Sequence, residues 1–473
     1  MTLLEQYKGR LAIAEKQYSQ THNGEKLTEA KKVATAVCLN NISKFLTESF
    51  ENSVGTQRAD LGLYKKFSLN LTNIAVPNLI AHDLVLVQPL TSMSGYISYL
   101  AFSYGSNKGN VAQGQIVNDP FRLGNYDQNY TSAKVITEAK AATTDAGVAS
   151  GTLNWHPVLK GQVEFVVGAE TIRDGGDGKL YQGREVAGGA TVQPNGNVVA
   201  GEVLVAGSEV GTIDYATGAY SFTATGIVAV TPVFANYIYD NVVIPQNDLP
   251  ILNAEMKAIP VIAKARRIAI YYSQIAAFQA KTDYGFDLAS ELAKQAVATL
   301  SFEIDTEIVD LLVKNAAEDT DLTWSKTLPI GVSKAEHYQG FLELVGIAQQ
   351  KIYDKTKRYA PDYMLIASNV LPVLRFINGF KEASATNING PYFCGTLNGL
   401  KVFVSPSIEA GKFAFGVNKG ELNASAAAWC PYMPIVPTQA LQYADGGNSQ
   451  GFSTLYALEL LNKDLLIAGR ITA

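Results

Sequence analysis

Apolar side chains recur every three or four residues along the first fifty positions, which is the spacing of one helix face. The pattern is interrupted at residues 21–24. Its two stripes consist of Leu4, Tyr7, Leu11, Ala14 and Tyr18, and of Leu27, Ala30, Ala34, Cys38, Ile42 and Phe45. Two helices with a single apolar face each do not form a core alone. We therefore predict a helical arm over residues 1–74 that packs on another surface.

From residue 76 onward the pattern becomes that of β-strands. Residues 84–87 form a continuous apolar run typical of a buried strand, and residues 96–104 are rich in strand formers. A second long strand is predicted over residues 259–272, where small apolar residues at 261, 263 and 265 alternate with Ile262, Lys264 and Arg266. These two strands predict an extended hairpin with an ascending segment, 75–141, and a descending segment, 248–283.

An all-β insert is predicted between the two hairpin strands, over residues 142–247. Composition shifts there toward Gly, Val and Thr, and Asp/Gly turns occur at 174–178 and 214–218. The predicted strands of this insert cover residues 163–167, 203–205, 212–213, 220–223 and 227–230. An insert at an exposed hairpin tip is expected to fold as a compact β-barrel or sandwich.

The second half of the chain alternates helices and strands. Its longest helical pattern covers residues 287–316, about 45 Å at 1.5 Å per residue. The other predicted elements are helices at 334–353 and 369–376, strands at 363–367, 401–404 and 412–415, and a final stretch at 454–467. Helices and strands in this order predict an α+β body.

Composition excludes several classes of protein. The chain has 473 residues, 47% of them hydrophobic and only 17% charged, so it has ample material for two or three packed domains. Its net charge of −5 differs from the strongly basic balance of a dedicated nucleic-acid binder. No apolar run is long enough to span a membrane. Three scattered cysteines favour a reducing cytoplasm over a disulfide framework.

The sequence contains no convincing catalytic or metal-binding motif. None of the four histidines has zinc-ligand spacing, and the glycine-rich run at 174–179 lacks the spacing of a Walker motif. Asp174 and Asp177 are candidates for calcium, but a turn explains them better because further carboxylates at fixed offsets are missing. Cys394 and Cys430 lie among aromatic and small residues, as buried cysteines do. We expect no catalytic residues, metal or cofactor.

A basic cluster on the descending strand is the main candidate contact site. It consists of Lys257, Lys264, Arg266 and Arg267. These side chains are able to bind phosphate, but their position on an extended strand favours ion pairs with an acidic neighbouring subunit.

Several segments resemble the major capsid proteins of T4-like contractile-tailed phages, which have the HK97 fold. The similarity begins with AVPNLIAHDLVLVQPL at 75–90 and continues with IAKARRIAIYYS at 262–273. Later matching segments are YGFD at 284–287, EIDTEIVD at 303–310, FCGTLNGLKVFV at 393–404, FGVNKG at 415–420 and CPYMPIVP at 430–437. The insert does not match the insertion of that family.

The resemblance implies a structural protein that self-assembles into hexameric capsomers and also into pentameric ones. These capsomers form an icosahedral head that encloses double-stranded DNA, and the protein does not bind that DNA sequence-specifically. It implies a spine helix at 284–325, an axial domain at 326–445 and a C-terminal peripheral strand at 446–473. The implied partners are further copies of the chain and vertex, portal, scaffold and decoration proteins. Assembly is expected in the cytoplasm of a bacterial host, with the mature protein in the virion capsid.

Two further points concern the arm and the function. The sequence around Glu48 and Ser49 resembles the site where a prohead protease cuts after glutamate, although the end of an amphipathic helix explains the same residues. The alternative function is that of a surface or tail-associated protein whose β-rich insert binds carbohydrate, and an enzyme ranks third.

Overall fold

The computed structural model describes residues 3–21, 25–51, 69, 76–119, 124, 126–144, 146–182, 207–227, 230–242, 249–285, 287–383, 390–438, 441–444 and 446–472. The chain divides into two compact units. The first comprises Met1–Tyr99, Pro120–Leu123 and Met256–Ala473, and the second comprises Leu100–Asp119 and Gly124–Glu255. Both units contain strands, and the long helices belong to the first, so the α+β class predicted from the sequence is confirmed.

The N-terminal segment folds into three helices, named α1 to α3. They cover Leu3–Gln6, Lys8–Thr21 and Glu29–Glu51. The predicted interruption is confirmed, because α2 ends at Thr21 and α3 begins at Glu29. One face of α3, with Leu39, Ile42 and Leu46, packs on the sheet of the first unit. This helix is therefore covered by the chain's own body.

Among the described residues, two sheets lie wholly within the first unit. The five-stranded sheet has the order β1-β20-β22-β13, with β21 paired to β22. Its strands are β1 (Leu86–Val87), β13 (Lys264–Ser273), β20 (Ala427–Pro437), β21 (Leu441–Gln442) and β22 (Gly447–Leu460). Only Leu86 and Val87 of the apolar run 84–87 form a strand, because Leu84 is the last residue of the short helix α4 (Ala81–Leu84).

The second sheet of this unit has seven strands in the order β14-β23-β19-β15-β18-β17-β16. They are β14 (Ala317–Ser325), β15 (Tyr363–Ala367), β16 (Phe380–Glu382), β17 (Tyr392–Leu397), β18 (Leu400–Ser405), β19 (Lys412–Gly416) and β23 (Leu466–Thr472). Every residue of the central strand β15 is buried, as its uninterrupted apolar sequence requires.

The remaining helices of the first unit pack on these sheets. They are α5 (Gln274–Asp283), α6 (Leu288–Asn315), α7 (Lys334–Gln339), α8 (Phe341–Thr356) and α9 (Leu371–Leu374). Short 3₁₀ turns cover Leu422–Ala424 and Lys463–Leu465. The long helix agrees with the prediction, and its first turn is capped by Asp287, which accepts a hydrogen bond from the backbone of Ala289. The helix predicted at 334–353 is instead two helices, because the chain makes a tight turn at Gly340.

The second unit contains an eight-stranded antiparallel sheet in the order β4-β11-β6-β7-β8-β9-β10-β5. Its strands are β4 (Lys134–Lys140), β5 (Val148–Thr152), β6 (Val158–Val167), β7 (Glu170–Asp174), β8 (Lys179–Gln182), β9 (Ser208–Ile213), β10 (Ala219–Thr223) and β11 (Val233–Tyr239). The sheet includes β4, which the predicted boundary at residue 142 leaves outside the insert. The strand predicted at 203–205 lies outside the described residues, and Ile227 and Val230 are not in a strand.

The hairpin is formed by β2 (Ser94–Tyr104) and β12 (Leu252–Ile262), with β3 (Ile116–Asn118) beside β2. The prediction of a single strand over residues 259–272 is wrong in one respect. The chain changes pairing partner at Ala263, so that β12 pairs with β2 whereas β13 pairs with β22. One continuous alternating sequence thus serves two different sheets.

Candidate functional site

The predicted basic cluster is distributed over two strands. Lys257 lies in β12, and Lys264, Arg266 and Arg267 lie in β13. Because successive side chains of a strand point to opposite faces, Arg266 and Arg267 lie on different faces of β13. Arg267 and Lys264 are exposed, whereas Arg266 is half-buried. The four residues therefore do not form one uniform basic surface.

Arg266 is held by groups of its own chain. Its guanidinium lies 2.6 Å from Oε2 of Glu307 and 3.3 Å from Oε2 of Glu303, and both glutamates are on α6. These two glutamates are four residues apart, so they lie one helical turn from each other on the same face. The guanidinium also lies 5.8 Å from the centre of the Tyr456 ring on β22. Arg266 thus joins β13 to the long helix.

The Tyr456 hydroxyl completes this cluster, which we name the Arg266 clamp and define as Arg266, Glu303, Glu307 and Tyr456. The hydroxyl donates a hydrogen bond to Glu307. Burial and then this hydrogen bond to a carboxylate raise the pKa of Tyr456. Burial alone would lower the pKa of Arg266, but the neighbouring Tyr456 and the two glutamates outweigh it, and the pKa is raised. The Arg266 guanidinium therefore stays charged at neutral pH.

The sequence predicts a contact of Arg266 with a neighbouring subunit because the residue lies on an extended strand. In the structure its ion-pair partners are two glutamates about 40 positions later in the same chain. The signal that points to them is a pair of acidic residues four apart on the long helix. That pair becomes a partner for Arg266 only because β13 lies against α6, where Ala293, Ala296 and Leu300 pack with Ile268 and Ile270. The contact of Lys257, Lys264 and Arg267 with a neighbouring subunit stays a prediction.

Strand β12 presents an exposed surface beside this covered strand. Every residue from Leu252 to Ala258 is exposed, and Met256 is 78% accessible. Ile262, at the end of the strand, is 65% accessible, whereas Val261 next to it is buried among the residues of the five-stranded sheet. Exposed apolar side chains on a long strand are typical of a surface that another protein covers.

A second exposed apolar set lies on α5, which directly follows β13. Ile275 and Phe278 are 72% and 71% accessible, whereas Ala280 is buried. The helix begins at the cap Ser273, whose side chain accepts a hydrogen bond from the backbone of Ile275. The described part of the hairpin base therefore carries apolar side chains on both β12 and α5 that this chain leaves in water.

Glu48 and Ser49 lie in the last turns of α3. This helix is fastened to the first unit by Asn41, whose amide donates hydrogen bonds to the carbonyl of Leu90, at 2.7 Å, and to that of Tyr432, at 2.8 Å. A protease that cuts after Glu48 would have to cleave a peptide bond inside a helix, so this part of α3 must unwind locally before the cut.

The three cysteines and Asp174 have structural roles in the fold. Burial raises the pKa of the Cys38 thiol to about 12, of Cys394 to about 11 and of Cys430 to about 12, so all three are neutral thiols. The Asp174 carboxylate accepts hydrogen bonds from the backbone of Gly161 and Gly176, and from another side chain, as a residue that organises turns does.

The described residues contain neither a group of three or more potential metal ligands of the His, Cys, Asp or Glu type nor a helix long and apolar enough to cross a membrane.

Comparison with known proteins identifies one family. Residues 62–468 match the family described as major capsid protein Gp23, which is well over half of the chain. No curated protein matches the sequence. Among solved structures, the capsid of Myoviridae phage XM1 is 10% identical, with 48% of this chain and 79% of that chain covered and a TM-score of 0.33.

Two further structures are similar over comparable lengths. A chain of Mycobacterium phage Bobi is 11% identical, covering 50% of this chain and 81% of that chain with a TM-score of 0.34. A holo-SrpI encapsulin complex from Synechococcus elongatus is 12% identical, covering 46% and 77% with a TM-score of 0.31. The assignment of the family rests on the match over residues 62–468 and not on these superpositions.

Proposed function

The chain belongs to the major capsid protein Gp23 family and is a structural, non-enzymatic protein of the phage head, and from this premise we propose how its surfaces build the shell. Copies of the chain assemble through the β2–β12 hairpin, in hexameric capsomers with pentamers at closed vertices. The head is assembled in the host cytoplasm and encloses double-stranded DNA without sequence-specific contacts. Vertex, portal, scaffold and decoration proteins are the further partners.

One observation carries the proposal for the hairpin: β12, a strand of 11 residues that pairs with β2, is exposed from Leu252 to Ala258. Burial of apolar surface stabilises association by about 25 cal/mol per Å². Met256 and Ile262 therefore favour a neighbouring copy that covers them. Lys257, Lys264 and Arg267 supply positive charge beside this apolar surface, which orients an acidic neighbour.

Within this proposal, Arg266 has a different role from the other basic residues. It keeps β13 on α6 through the Arg266 clamp, and so it holds the base from which the hairpin extends. The N-terminal helices direct assembly from inside the shell while α3 covers the five-stranded sheet. Cleavage after Glu48 would separate Leu39, Ile42 and Leu46 of α3 from the rest of the chain and release their contacts on that sheet.

The experiment is assembly of purified protein, followed by sedimentation and negative-stain microscopy. Met256→Glu and Ile262→Glu should reduce particle formation at least tenfold, because each places a charge in an apolar contact. Met256→Leu is the matched control and should assemble normally. Normal particles from both charged variants, with unchanged folded monomers, would reject the hairpin contact.

The maturation step is tested separately by the intact mass of the chain from DNA-filled particles. A chain that starts at Ser49 is the expected product of cleavage. A full-length chain in such particles would show that residues 45–49 are only the end of α3.

A further inference from the structure

A buried lysine lies in the loop that follows strand β2. Lys108 is only 4% exposed, although lysine side chains are rarely buried without partners. Its Nζ donates hydrogen bonds to the carbonyls of Asn129, at 3.2 Å, and Tyr130, at 2.8 Å, and to the carbonyl of Ser132. These three carbonyls belong to the turn that precedes β4. One side chain therefore fastens the loop after β2 to a turn that lies 21 to 24 positions later in the chain.

The same ammonium contacts two aromatic side chains of the second unit. It donates a hydrogen bond of 3.3 Å to the hydroxyl of Tyr239 on β11. The ring centres of Tyr239 and Trp155 lie 5.0 Å and 5.6 Å from Nζ, within the range of a cation–π contact. The two rings also stack on each other, with their centres 5.4 Å apart. We name this site the ammonium cage and define it as the carbonyls of Asn129, Tyr130 and Ser132 together with the side chains of Trp155 and Tyr239.

The chemistry of the cage matches that of an ammonium group. An ammonium has three N–H donors and no acceptor, and each polar atom named above accepts from it. Burial lowers the pKa of Lys108 to about 8, and the charge of Asp127 opposes this, so the side chain is still an ammonium at pH 7. Removing it takes a charged donor from three carbonyls at once, and buried acceptors are costly to leave unpaired. The turn before β4 therefore depends on Lys108 for its conformation.

The loop that carries Lys108 lies directly against β4. Lys108 and Val111 exchange two backbone hydrogen bonds, each 3.0 Å long, which close a tight turn. Gly109 in this turn has a φ of +59°, and a Cβ at this position would lie 2.4 Å from the carbonyl oxygen of Ile136 on β4. The positive φ and the close approach both require glycine. A side chain at position 109 would therefore force this turn away from β4.

Neighbouring residues connect the cage to the distal end of the hairpin. The Nε1 of Trp155 donates a hydrogen bond of 3.2 Å to the carbonyl of Asn107. The Tyr130 hydroxyl lies 2.8 Å from Oγ of Ser106 and donates a hydrogen bond of 2.6 Å to the carbonyl of Ile251. Ser106 follows the end of β2, and Ile251 precedes the start of β12. The cage thus lies between the distal ends of both hairpin strands and the eight-stranded sheet, all within the second unit.

We propose that Lys108 and the ammonium cage form a latch that locks the distal end of the hairpin to the eight-stranded sheet. While the ammonium fills the cage, the loop after β2 and the turn before β4 are held together. When it leaves, these two segments loosen, but the β11–β6 and β6–β7 ladders stay closed because their hydrogen bonds do not involve Lys108. A displacement of the distal hairpin then no longer moves the sheet. This inference concerns residues of the second unit alone and is independent of the proposed contact at Met256 and Ile262.

The test is hydrogen–deuterium exchange of the full chain at pH 7, measured by mass spectrometry of its peptides. Lys108→Ala should speed exchange at least about tenfold in residues 105–115 and 128–134, and should leave exchange in β6 and β7 within about twofold of wild type. Unchanged exchange in the first two segments would overturn the latch. Equal acceleration in β6 and β7 would also overturn it, because Lys108 would then be an ordinary residue of the core.

Chemical rescue distinguishes a cage for an ammonium from simple packing. In Lys108→Ala, n-propylammonium chloride should restore slow exchange in both segments, because its ammonium is able to occupy the emptied cage. Sodium chloride at the same ionic strength and n-propanol should give no such protection. Lys108→Met fills the path of the side chain without its charge, so it should exchange as fast as Lys108→Ala and show no rescue. If propylammonium protects Lys108→Ala no better than sodium chloride does, the cage does not bind an ammonium and the proposal fails.

Two further variants control for effects on folding. Lys134→Ala removes a half-buried lysine at the start of β4, outside the cage, and should exchange like wild type. Gly109→Ala keeps Lys108 but drives its turn away from Ile136, so it should speed exchange in the same two segments. This variant decides the question if Lys108→Ala and Lys108→Met do not fold. Exchange like that of wild type in Gly109→Ala would then overturn the latch.

Discussion

Strands β12 and β13 are neighbours in the chain and differ in how much of each strand the rest of the chain covers. Both are long, and only Ala263 separates them. Every residue from Leu252 to Ala258 on β12 is exposed, whereas β13 is paired with β22 along its whole length and alternates exposed with half-buried residues. The comparison shows that strand alternation predicts which side chains share a face, but the partner decides whether that face is buried. The exposed strand is available for another subunit, and the covered one holds the body together.

The largest expected effect comes from the covered side. Phe452 lies opposite Ile268 in the β13–β22 ladder and is fully buried with Leu300. Phe452→Ala should lower the free energy of unfolding of the first unit by about 3–5 kcal/mol, because it leaves a cavity. Urea denaturation followed by the fluorescence of Trp324 and Trp429 measures this. Met256→Ala on β12 is the control and should change stability by less than about 0.5 kcal/mol. Equal losses in the two variants would contradict the comparison.

Charge reversal within β13 compares the two faces of one strand. Arg266→Glu places a third carboxylate beside Glu303 and Glu307, and should destabilise the first unit by about 2–3 kcal/mol, since like charges in partly buried contacts repel. Arg267→Glu, one position later on the exposed face, should cost less than about 0.5 kcal/mol. The same denaturation experiment measures both. If the two reversals have the same effect on stability, the Arg266 clamp does not hold β13 to α6.

The tyrosine of the clamp predicts a dependence on pH. Tyr456→Phe should cost about 1–2 kcal/mol at pH 7, because the Glu307 carboxylate loses the hydrogen bond that the Tyr456 hydroxyl donates to it. The pKa of Tyr456 is raised in the folded state, so its contribution is fully present below the unfolded value, about 10, and is lost as the pH rises above it. The difference between wild type and Tyr456→Phe should therefore shrink above about pH 10. A constant difference up to pH 11 in denaturation midpoints would exclude this linkage.

The smallest effects on stability are expected at the exposed basic residues. Lys264→Glu should change the free energy of unfolding by less than about 0.5 kcal/mol. Assembly of that variant should nevertheless be slower than wild type at low salt and approach it at high salt, since screening weakens contacts between exposed charges. Light scattering during assembly at two salt concentrations measures this. Assembly rates that match wild type at both concentrations would remove Lys264 from the subunit contact.

Local patterns of the sequence were sufficient to predict most elements of the body. The apolar stripe at 287–316 and the apolar run at 363–367 predicted α6 and β15 closely, because a helix face and a strand buried on both sides leave distinct signatures over a few residues. The order of family segments also predicted a capsid subunit, which the match over residues 62–468 confirmed. Glycine marked the break between α7 and α8, but its effect on the helix was not apparent from periodicity.

Only the tertiary structure decided which residues meet across long distances in the chain. The sequence placed Lys257, Lys264, Arg266 and Arg267 on one strand, and Glu303 and Glu307 on one helix face. It contained no local sign that the chain changes sheets at Ala263 or that this strand packs on that helix. In the same way, β4 and β5 lie at opposite ends of the pairing order, yet Lys140 at the end of β4 donates a hydrogen bond to the carbonyl of Thr152 at the end of β5. Periodicity arises from neighbours along the backbone, whereas the pairing of charges depends on how separate elements pack, and that packing is set by the burial of the whole core.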